Sequence, residues 1–186
     1  MSIADALSEH AELLARVEEL VPQVDDVARR LIRAFESGGR VYTFGNGGSS
    51  ADAAHFAEEL LGRYKRERRP LPAQSLSIDA SALTCIANDY SYDEVFERQV
   101  RGFVRRGDIV IGFSTSGRSA NVVRGLAAAR ELGAVTVLFG GGSGGAAAAH
   151  ADIALIVPSE STARVQEMHV LLVHLILEEV DAWAAG

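Results

Sequence analysis

The sequence is poor in cysteine. Cys85 is its single thiol, and one thiol excludes a disulfide within the chain. Because Cys85 lies in the apolar run 83–87, we expect a buried thiol in a reducing compartment. Long hydrophobic runs are also missing, since none approaches the ~20 residues that a membrane-spanning helix needs. Acidic residues at positions 5, 9 and 12 are unlike a signal peptide. These absences predict a cytoplasmic protein without a membrane partner.

Positive charge is scarce as well. The 18 lysines and arginines are outnumbered by 25 aspartates and glutamates, which gives a net charge of −7. This balance argues against a general nucleic-acid-binding protein. The local basic run 65–69 is interpreted as a solvated helix end. Hydrophobic residues make up 48% of the 186 positions, which predicts one compact domain.

Five short apolar runs alternate with helix-like segments along the chain. They are residues 41–44, 74–78, 108–113, 135–139 and 153–157. Strands that alternate with helices predict an α/β fold with an open parallel sheet covered by helices on both faces. The expected architecture is therefore a five-stranded, Rossmann- or flavodoxin-like domain.

The first 37 residues predict a helical arm that precedes this sheet. Apolar residues recur at steps of three and four from position 3 to position 35, and such a stripe needs a packing partner. Pro22 should open a second helix, and Gly38 and Gly39 should end it. The arm either packs against another subunit or covers its own sheet, and the pattern favours neither.

The final helix-like segment, residues 162–184, is apolar almost all round. A helix that is apolar on every side is buried on every side. In a chain of this size, the same helix from other subunits would surround it most easily. The segment therefore predicts a helical core in a homo-oligomer.

The stretch 45–59 contains a strand end, a glycine turn and a helix start. Glycines allow a sharp turn and a close approach to a ligand, and the free amides of a helix start suit an anion or a sugar oxygen. His55 and Glu59 are four residues apart, so they share one helix face. They form a candidate acid/base or metal-ligand pair.

A second loop, residues 114–119, follows a predicted strand and precedes a helix. It has four hydroxyl side chains and a glycine, which together favour a phosphate site at the carboxyl end of the sheet. The alternative is that one hydroxyl simply caps the helix.

Residues 140–145 match the dinucleotide pattern G-x-G-x-x-G. That pattern belongs after the first strand, with an acidic residue at the end of the next one, and neither condition holds here. A mobile turn is the preferred interpretation.

The last helix carries four polar residues that need partners: Gln166, Glu167, His169 and His174. A histidine there could simply be a hydrogen-bonded core residue. Alternatively, His174 with Gln166 or Glu167 could complete a metal site with His55 and Glu59. Spacing alone favours Glu167, because seven residues return closer to the same helix face than eight.

Several motifs together resemble the sedoheptulose 7-phosphate isomerases (phosphoheptose isomerases), members of the sugar isomerase (SIS) fold. The matching segments are 45–49 with Asp52, 55–60, 62–64, 87–90, 114–117, 119–122 and 164–169. The resemblance covers the whole chain, so residues 1–186 are expected to form one SIS domain that includes the arm 1–37.

The resemblance implies a homotetramer with active sites between subunits and catalysis by Glu59 and His174. It also implies one zinc ion per subunit, bound by His55, Glu59, Gln166 and His174, which selects Gln166 over Glu167. The implied phosphate ligands are Ser114, Thr115, Ser116 and Ser119. The implied sugar contacts are Asn46, Gly47, Gly48, Ser49, Asp52, Glu59, Arg63, Asn88, Asp89 and Gln166.

The expected reaction converts sedoheptulose 7-phosphate to D-glycero-D-manno-heptose 7-phosphate through an enediol, with Glu59 as base and His174 as acid. A sister group keeps this fold as an adaptor that binds the replication initiator DnaA, but it lacks the histidine that matches His174.

One departure from the enzymes is Ala163, where some members carry an aspartate. No relay role of that aspartate can be assigned to this chain.

Overall fold

The computed structural model describes residues 2–186, and its centre is a five-stranded parallel sheet. The strands are β1 (Val41–Gly45), β2 (Ala73–Ser75), β3 (Ile109–Ser114), β4 (Val135–Gly141) and β5 (Ile153–Val157). Their order across the sheet is β2-β1-β3-β4-β5, so the predicted five-stranded α/β sheet is confirmed. Every residue of β1 and β3 is buried, as expected for central parallel strands.

Seven α-helices surround the sheet. They are α1 (Ile3–Val17), α2 (Val21–Glu36), α3 (Gly48–Leu61), α4 (Ala80–Asp89), α5 (Val95–Phe103), α6 (Ala120–Glu131) and α7 (Thr162–Ala184). Short 3-10 turns lie at Glu18–Leu20, Tyr92–Glu94 and Ala146–His150. The predicted second strand ends early, at Ser75, because Ser77 leaves the ladder and its hydroxyl bonds the backbone of Gly45.

The N-terminal arm breaks where Pro22 predicts a break. The 3-10 turn Glu18–Leu20 separates α1 from α2, and Pro22 lies in the first turn of α2. Both helices pack against α7 of their own chain, with Leu13 and Val17 buried in the contact. Large apolar side chains on the other face of the arm stay exposed: Ile3, Leu7, Leu14 and Val21. One face of the arm thus covers its own subunit, and the other remains available.

Helix α7 is largely buried by its own chain. It packs against α2 and α3, and Leu175 is its one large hydrophobic residue that is exposed, at 42%. Helices from other subunits are therefore not required to bury α7. The reasoning that led from α7 to a homo-oligomer was wrong on this point, because the arm supplies the covering helices.

Two local predictions were wrong. Cys85 is exposed, because α4 turns the neighbouring Leu83 and Ile86 toward the core and Cys85 away from it. The basic run 65–69 is not a solvated helix end throughout, because the Arg68 side chain is 1% exposed and pairs with Asp181. Between residues 2 and 186, no helix has the length and apolarity that crossing a bilayer would require.

Candidate active site

The two predicted ligand loops lie side by side. Strands β1 and β3 pair in parallel with Gly45 opposite Phe113, so the turns that lead into α3 and α6 lie next to each other at the carboxyl ends of the strands. A cavity of about 250 Å³ opens between them. Its lining is Asn46, Gly48, Ser49, Phe113, Ser114, Thr115, Ser116, Ser119, Thr162 and Gln166. A larger cleft of about 540 Å³ lies at the opposite end of the strands and contains none of the predicted site residues.

The hydroxyl-rich loop before α6 has the form of an anion cradle. Ser114 Oγ accepts a hydrogen bond from the Gly117 amide at 3.0 Å, which shapes the turn. Ser119 is the N-cap residue of α6, but within residues 2–186 its side chain makes no capping hydrogen bond. The capping alternative therefore fails for Ser119, and its hydroxyl is available to a ligand at the helix N-terminus.

The glycine-rich turn 140–145 supports this cradle. Gly117 has φ +61°, and a β-carbon there would overlap the carbonyl oxygen of Gly144. The Ala147 amide also donates to the Gly117 carbonyl oxygen at 3.0 Å. The turn follows β4 and leads into a 3-10 turn, which agrees with rejecting the dinucleotide interpretation. The sequence did not predict that this turn packs closely on the loop 114–119.

Asn46 is oriented by a residue that sequence reasoning did not select. Its amide and the amide of buried Asn121 exchange two hydrogen bonds of 2.9 Å each. The Tyr92 hydroxyl donates to Asn46 Oδ1 at 3.0 Å. These bonds fix the Asn46 side chain at the rim of the cavity. The available signal was Asn121 itself, two positions after Ser119 in a quoted motif.

Helix α7 brings Gln166 to the cavity and uses Glu167 elsewhere. A β-carbon on Gly48 would overlap Gln166 Nε2, so glycine at the first turn of α3 permits this approach. Glu167 instead binds His10 Nδ1 at 2.7 Å and pairs with Arg164. The spacing argument that preferred Glu167 as a site residue was therefore wrong, because α1 occupies that face of α7.

The catalytic candidates converge within one chain. His55 Nε2 lies 3.5 Å from Glu59 Oε1, and the His55 and His174 rings lie 5.1 Å apart, edge to face. Burial, followed by the charges of His55 and Lys65, lowers the pKa of His174, although Glu59 opposes the shift. The His174 imidazole is accordingly neutral near pH 7. Tyr64 stacks on it with ring centroids 5.6 Å apart.

The same helix turn offers donor atoms for a metal. Ligand atoms of His55, Glu58 and Glu59 lie within 4.8 Å of one another, and His174 adjoins this group. Imidazole nitrogen and carboxylate oxygen are the donors that zinc takes in proteins. Gln166 lies two helical turns from His174, about 12 Å along α7. The donors that the chain brings together thus fit zinc, with Gln166 set apart from them.

The other predicted sugar contacts lie outside the cavity. Gly47 is the exposed N-cap residue of α3, and Arg63 is exposed just after that helix. Asn88 and Asp89 are exposed at the end of α4, where Asn88 Nδ2 donates to Asp89 Oδ1 at 2.8 Å. None of these four residues lines the cavity of this chain, although Gly47 lies between two residues that do.

Asp52 is buried on α3, one turn before His55. Its Oδ2 has no hydrogen-bond partner among residues 2–186, and burial raises its pKa to about 6, although His55 opposes the rise. A buried carboxylate oxygen without a partner is unusual and suits a ligand-facing position.

His169 is a hydrogen-bonded core residue, which was one of the two interpretations open to the histidines of α7. It is fully buried and contacts the Gly140 carbonyl oxygen through Nε2 at 3.1 Å. Burial lowers its pKa to about 4, so the ring is neutral and donates that hydrogen bond. His169 is a structural residue beneath β4.

A family model described as the SIS domain matches residues 7–141. The phosphoheptose isomerase of Aquifex aeolicus is 50% identical over 174 residues, which cover 93% of this chain and 91% of that protein. The phosphoheptose isomerase of Aliarcobacter butzleri is 47% identical and covers 92% of each chain.

Solved structures agree with these relatives. Phosphoheptose isomerase GmhA from Neisseria gonorrhoeae superposes with a TM-score of 0.91 at 39% identity, over 97% of both chains. A phosphoheptose isomerase from Francisella tularensis gives a TM-score of 0.89 at 32% identity, over 98% of this chain and all of that one.

Proposed function

This chain belongs to the phosphoheptose isomerase family of SIS-domain proteins, and from that premise we propose the reaction at its site: sedoheptulose 7-phosphate is converted to D-glycero-D-manno-heptose 7-phosphate. The observation that carries the proposal is the convergence of Glu59 and His174, which are far apart in sequence, on a chain that also builds a hydroxyl-lined anion cradle. The relatives reported above are isomerases, so nothing supports the DnaA adaptor alternative.

Ketose–aldose exchange removes a proton from C1, forms an enediol and returns a proton to C2. Glu59 is the base, because a carboxylate oxygen is a suitable acceptor for the C–H proton and the His55 imidazole holds this side chain in place. His174 is the acid for the sugar oxygens. Since its pKa is lowered, it donates as a neutral imidazole, which is also the form in which imidazole acts in triosephosphate isomerase.

The cradle would position the substrate and would take no part in the proton transfers. The hydroxyls of Thr115, Ser116 and Ser119 and the N-terminus of α6 would bind the 7-phosphate, and the Asn46 amide would bind sugar hydroxyls. Anchoring the far end of an open-chain sugar holds its reacting end in a fixed orientation. This lowers the entropic part of the barrier, which can be a large part of the whole.

The site between subunits is a further part of the proposal. Glu59 lies 11 residues beyond Gly48, which is about 16 Å along α3, so the cradle and the catalytic pair of one chain are well separated. A tetramer that places the cradle of one protomer against Glu59 and His174 of another would close this gap. The exposed apolar stripe of α1 and the exposed Leu175 supply surface for such contacts.

Zinc is proposed at His55, Glu59 and His174; the fourth ligand that the family implies, Gln166, lies two helical turns from His174 in the same chain. Glu59 and His174 would each hold the ion through one atom, which leaves the second carboxylate oxygen and the second ring nitrogen for proton transfer. When bound, the ion supplies Lewis-acid polarisation of the substrate carbonyl. Purified protein should carry about one zinc per subunit by metal analysis, chelation should remove activity, and zinc should restore it. Full activity in metal-free protein would reject this role.

The cytoplasmic location stays a prediction.

The function is tested by incubating the enzyme with sedoheptulose 7-phosphate and detecting the aldose. Wild type should form the product, and Glu59→Gln and His174→Ala should each lose at least about 100-fold in kcat. Glu36→Gln is the matched control, since Glu36 is an exposed carboxylate at the end of α2. Equal turnover in all four proteins would reject the site assignment.

A further inference from the structure

The loop that follows α3, residues 62–69, is fastened to α7 by one buried carboxylate. Asp181 is 1% exposed; its Oδ2 accepts from the backbone amides of Arg66 at 2.9 Å and Lys65 at 3.3 Å. Its Oδ1 accepts from Arg68 Nε at 2.9 Å. Burial alone would raise the pKa of Asp181, but the bonds from Arg66 and Arg68 hold it below its ordinary value. The carboxylate is therefore ionised and binds the loop at three points.

Arg68 extends this attachment to the end of α3. Its buried guanidinium donates to the carbonyl oxygens of Glu59 at 2.6 Å, Leu60 at 3.0 Å and Gly62 at 3.3 Å. Carbonyls at a helix C-terminus have no partner within the helix, and a cation there is favourable. Arg68 therefore fixes the last turn of α3, which carries the Glu59 side chain.

Tyr64 carries the attachment to the other catalytic group. Its ring lies on the His174 imidazole with centroids 5.6 Å apart and an angle of 26° between the planes. The Lys65 ammonium lies 5.0 Å from the Tyr64 centroid and pairs with Glu178. Tyr64 and Lys65 belong to the loop whose backbone Asp181 holds.

We propose that Asp181 and Arg68 are positioning residues for the isomerase, which hold loop 62–69 so that Tyr64 fixes the His174 imidazole beside Glu59. The inference rests on the proposed function. The contacts reach the catalytic pair from both sides: Arg68 bonds the Glu59 backbone, and Tyr64 stacks on His174. Small displacements of a catalytic group are costly, so a rigid loop at this place affects turnover and not only stability.

The test uses the full-length enzyme and two kinds of variant. Asp181→Asn and Arg68→Lys weaken the buried attachment while keeping side-chain size or charge, because removing one partner of a buried ion pair outright can unfold a protein. Tyr64→Leu removes the stacking ring, whereas Tyr64→Phe keeps the ring and removes only its hydroxyl. Asp25→Asn, at an exposed position of α2, is the matched control for Asp181→Asn.

Two readouts separate positioning from stability. The first is kcat and KM for sedoheptulose 7-phosphate. The second is the proton NMR shift of the His174 ring in metal-free, histidine-labelled protein, assigned by comparison with His174→Gln. The Tyr64 ring current displaces this resonance only while the two rings stay stacked, so the shift reports their geometry without any turnover.

Asp181→Asn, Arg68→Lys and Tyr64→Leu should each lower kcat by about 10- to 100-fold, as loss of supporting contacts does, with KM changed less than threefold. The His174 resonance should lose its ring-current displacement in the same three proteins. Tyr64→Phe should recover both readouts, and Asp25→Asn should match wild type.

The proposal is overturned if Asp181→Asn and Arg68→Lys lower the melting temperature but leave kcat and the His174 resonance at wild-type values. A purely structural role would produce that result. If one of these two variants does not fold, the other decides. A wild-type enzyme without turnover would reject the proposed function, whereas the NMR comparison would still decide whether the loop places Tyr64 on His174.

Discussion

Two histidines on α7 show how surroundings divide one residue type into two roles. His169 is fully buried, bonds the Gly140 carbonyl and has its pKa lowered to about 4. His174 lies five residues further, half-buried between Tyr64 and His55. The sequence marks both as polar residues in an apolar helix. It cannot separate them, because the partners come from β4 and α3, which are distant in the chain.

Asp52 provides a test at the scale of one residue. Burial raises its pKa from 3.8 to about 6, so the folded protein holds this proton more tightly than the unfolded chain does. The free energy of unfolding should therefore fall as the pH rises from about 4 to about 6 and stay lower above that range. Asp52→Asn removes this loss and should exceed wild type by about 1–2 kcal/mol at pH 7.5, which is less than the full shift because solvent screens part of it, with no advantage at pH 4.

Urea unfolding of metal-free Asp52→Asn and wild type across this pH range measures the difference. Asp25→Asn, an exposed control, should follow wild type throughout. A difference between Asp52→Asn and wild type that does not depend on pH would show that Asp52 ionises as an ordinary carboxylate.

At the scale of elements, the sequence predicts most of the fold because the patterns are local. Alternating apolar runs place all five strands, and Pro22 places the start of α2. The failures at Cys85, on α4, and at Arg68, in the loop after α3, concern which side chains face the core. That choice depends on contacts such as Arg68 with Asp181, which lie 113 positions apart.

A glycine-to-alanine substitution should affect stability differently in the two predicted ligand loops. In Gly117→Ala the new methyl group meets the backbone of Gly144 at a residue with positive φ, so the cost should be about 1–3 kcal/mol of stability. In Gly48→Ala it meets the mobile end of Gln166, which can swing away, so stability should change by less than about 0.5 kcal/mol. Both variants should lose activity.

Thermal unfolding and steady-state kinetics on the two alanine variants separate these cases. Gly117→Ala should raise KM, since it displaces the loop 114–119, the proposed phosphate site. Gly48→Ala should lower activity at wild-type stability. Equal destabilisation of both variants would mean that Gln166 is not the group that Gly48 accommodates.

At the scale of the whole molecule, a single chain leaves the cradle and the catalytic pair apart and leaves one face of α1 uncovered. Leu7 is 67% exposed and Leu14 is 43% exposed, on the same side of α1. We expect wild type to have about four times the chain mass of 19.8 kDa by light scattering. Leu7→Glu combined with Leu14→Glu should shift it to smaller species and reduce turnover.

Ser8→Glu is the control, since Ser8 is an exposed position of α1 beside that stripe. It should keep the wild-type mass. A monomeric wild type that is fully active would contradict the intersubunit site, and an unchanged tetramer in the double variant would move the interface away from α1. No pattern in the sequence settles this, because the arm stripe fits both its own chain and a partner.

The central claim is that Glu59 and His174 move a proton between C1 and C2 of a heptose phosphate, and solvent exchange tests it most directly. Wild-type enzyme is incubated with sedoheptulose 7-phosphate in D₂O, and carbon-bound deuterium is located by NMR. We predict aldose product with deuterium at C2, and no product or exchange with Glu59→Gln. Sedoheptulose 7-phosphate recovered from the wild-type enzyme unchanged, with no deuterium at C1, would contradict the account.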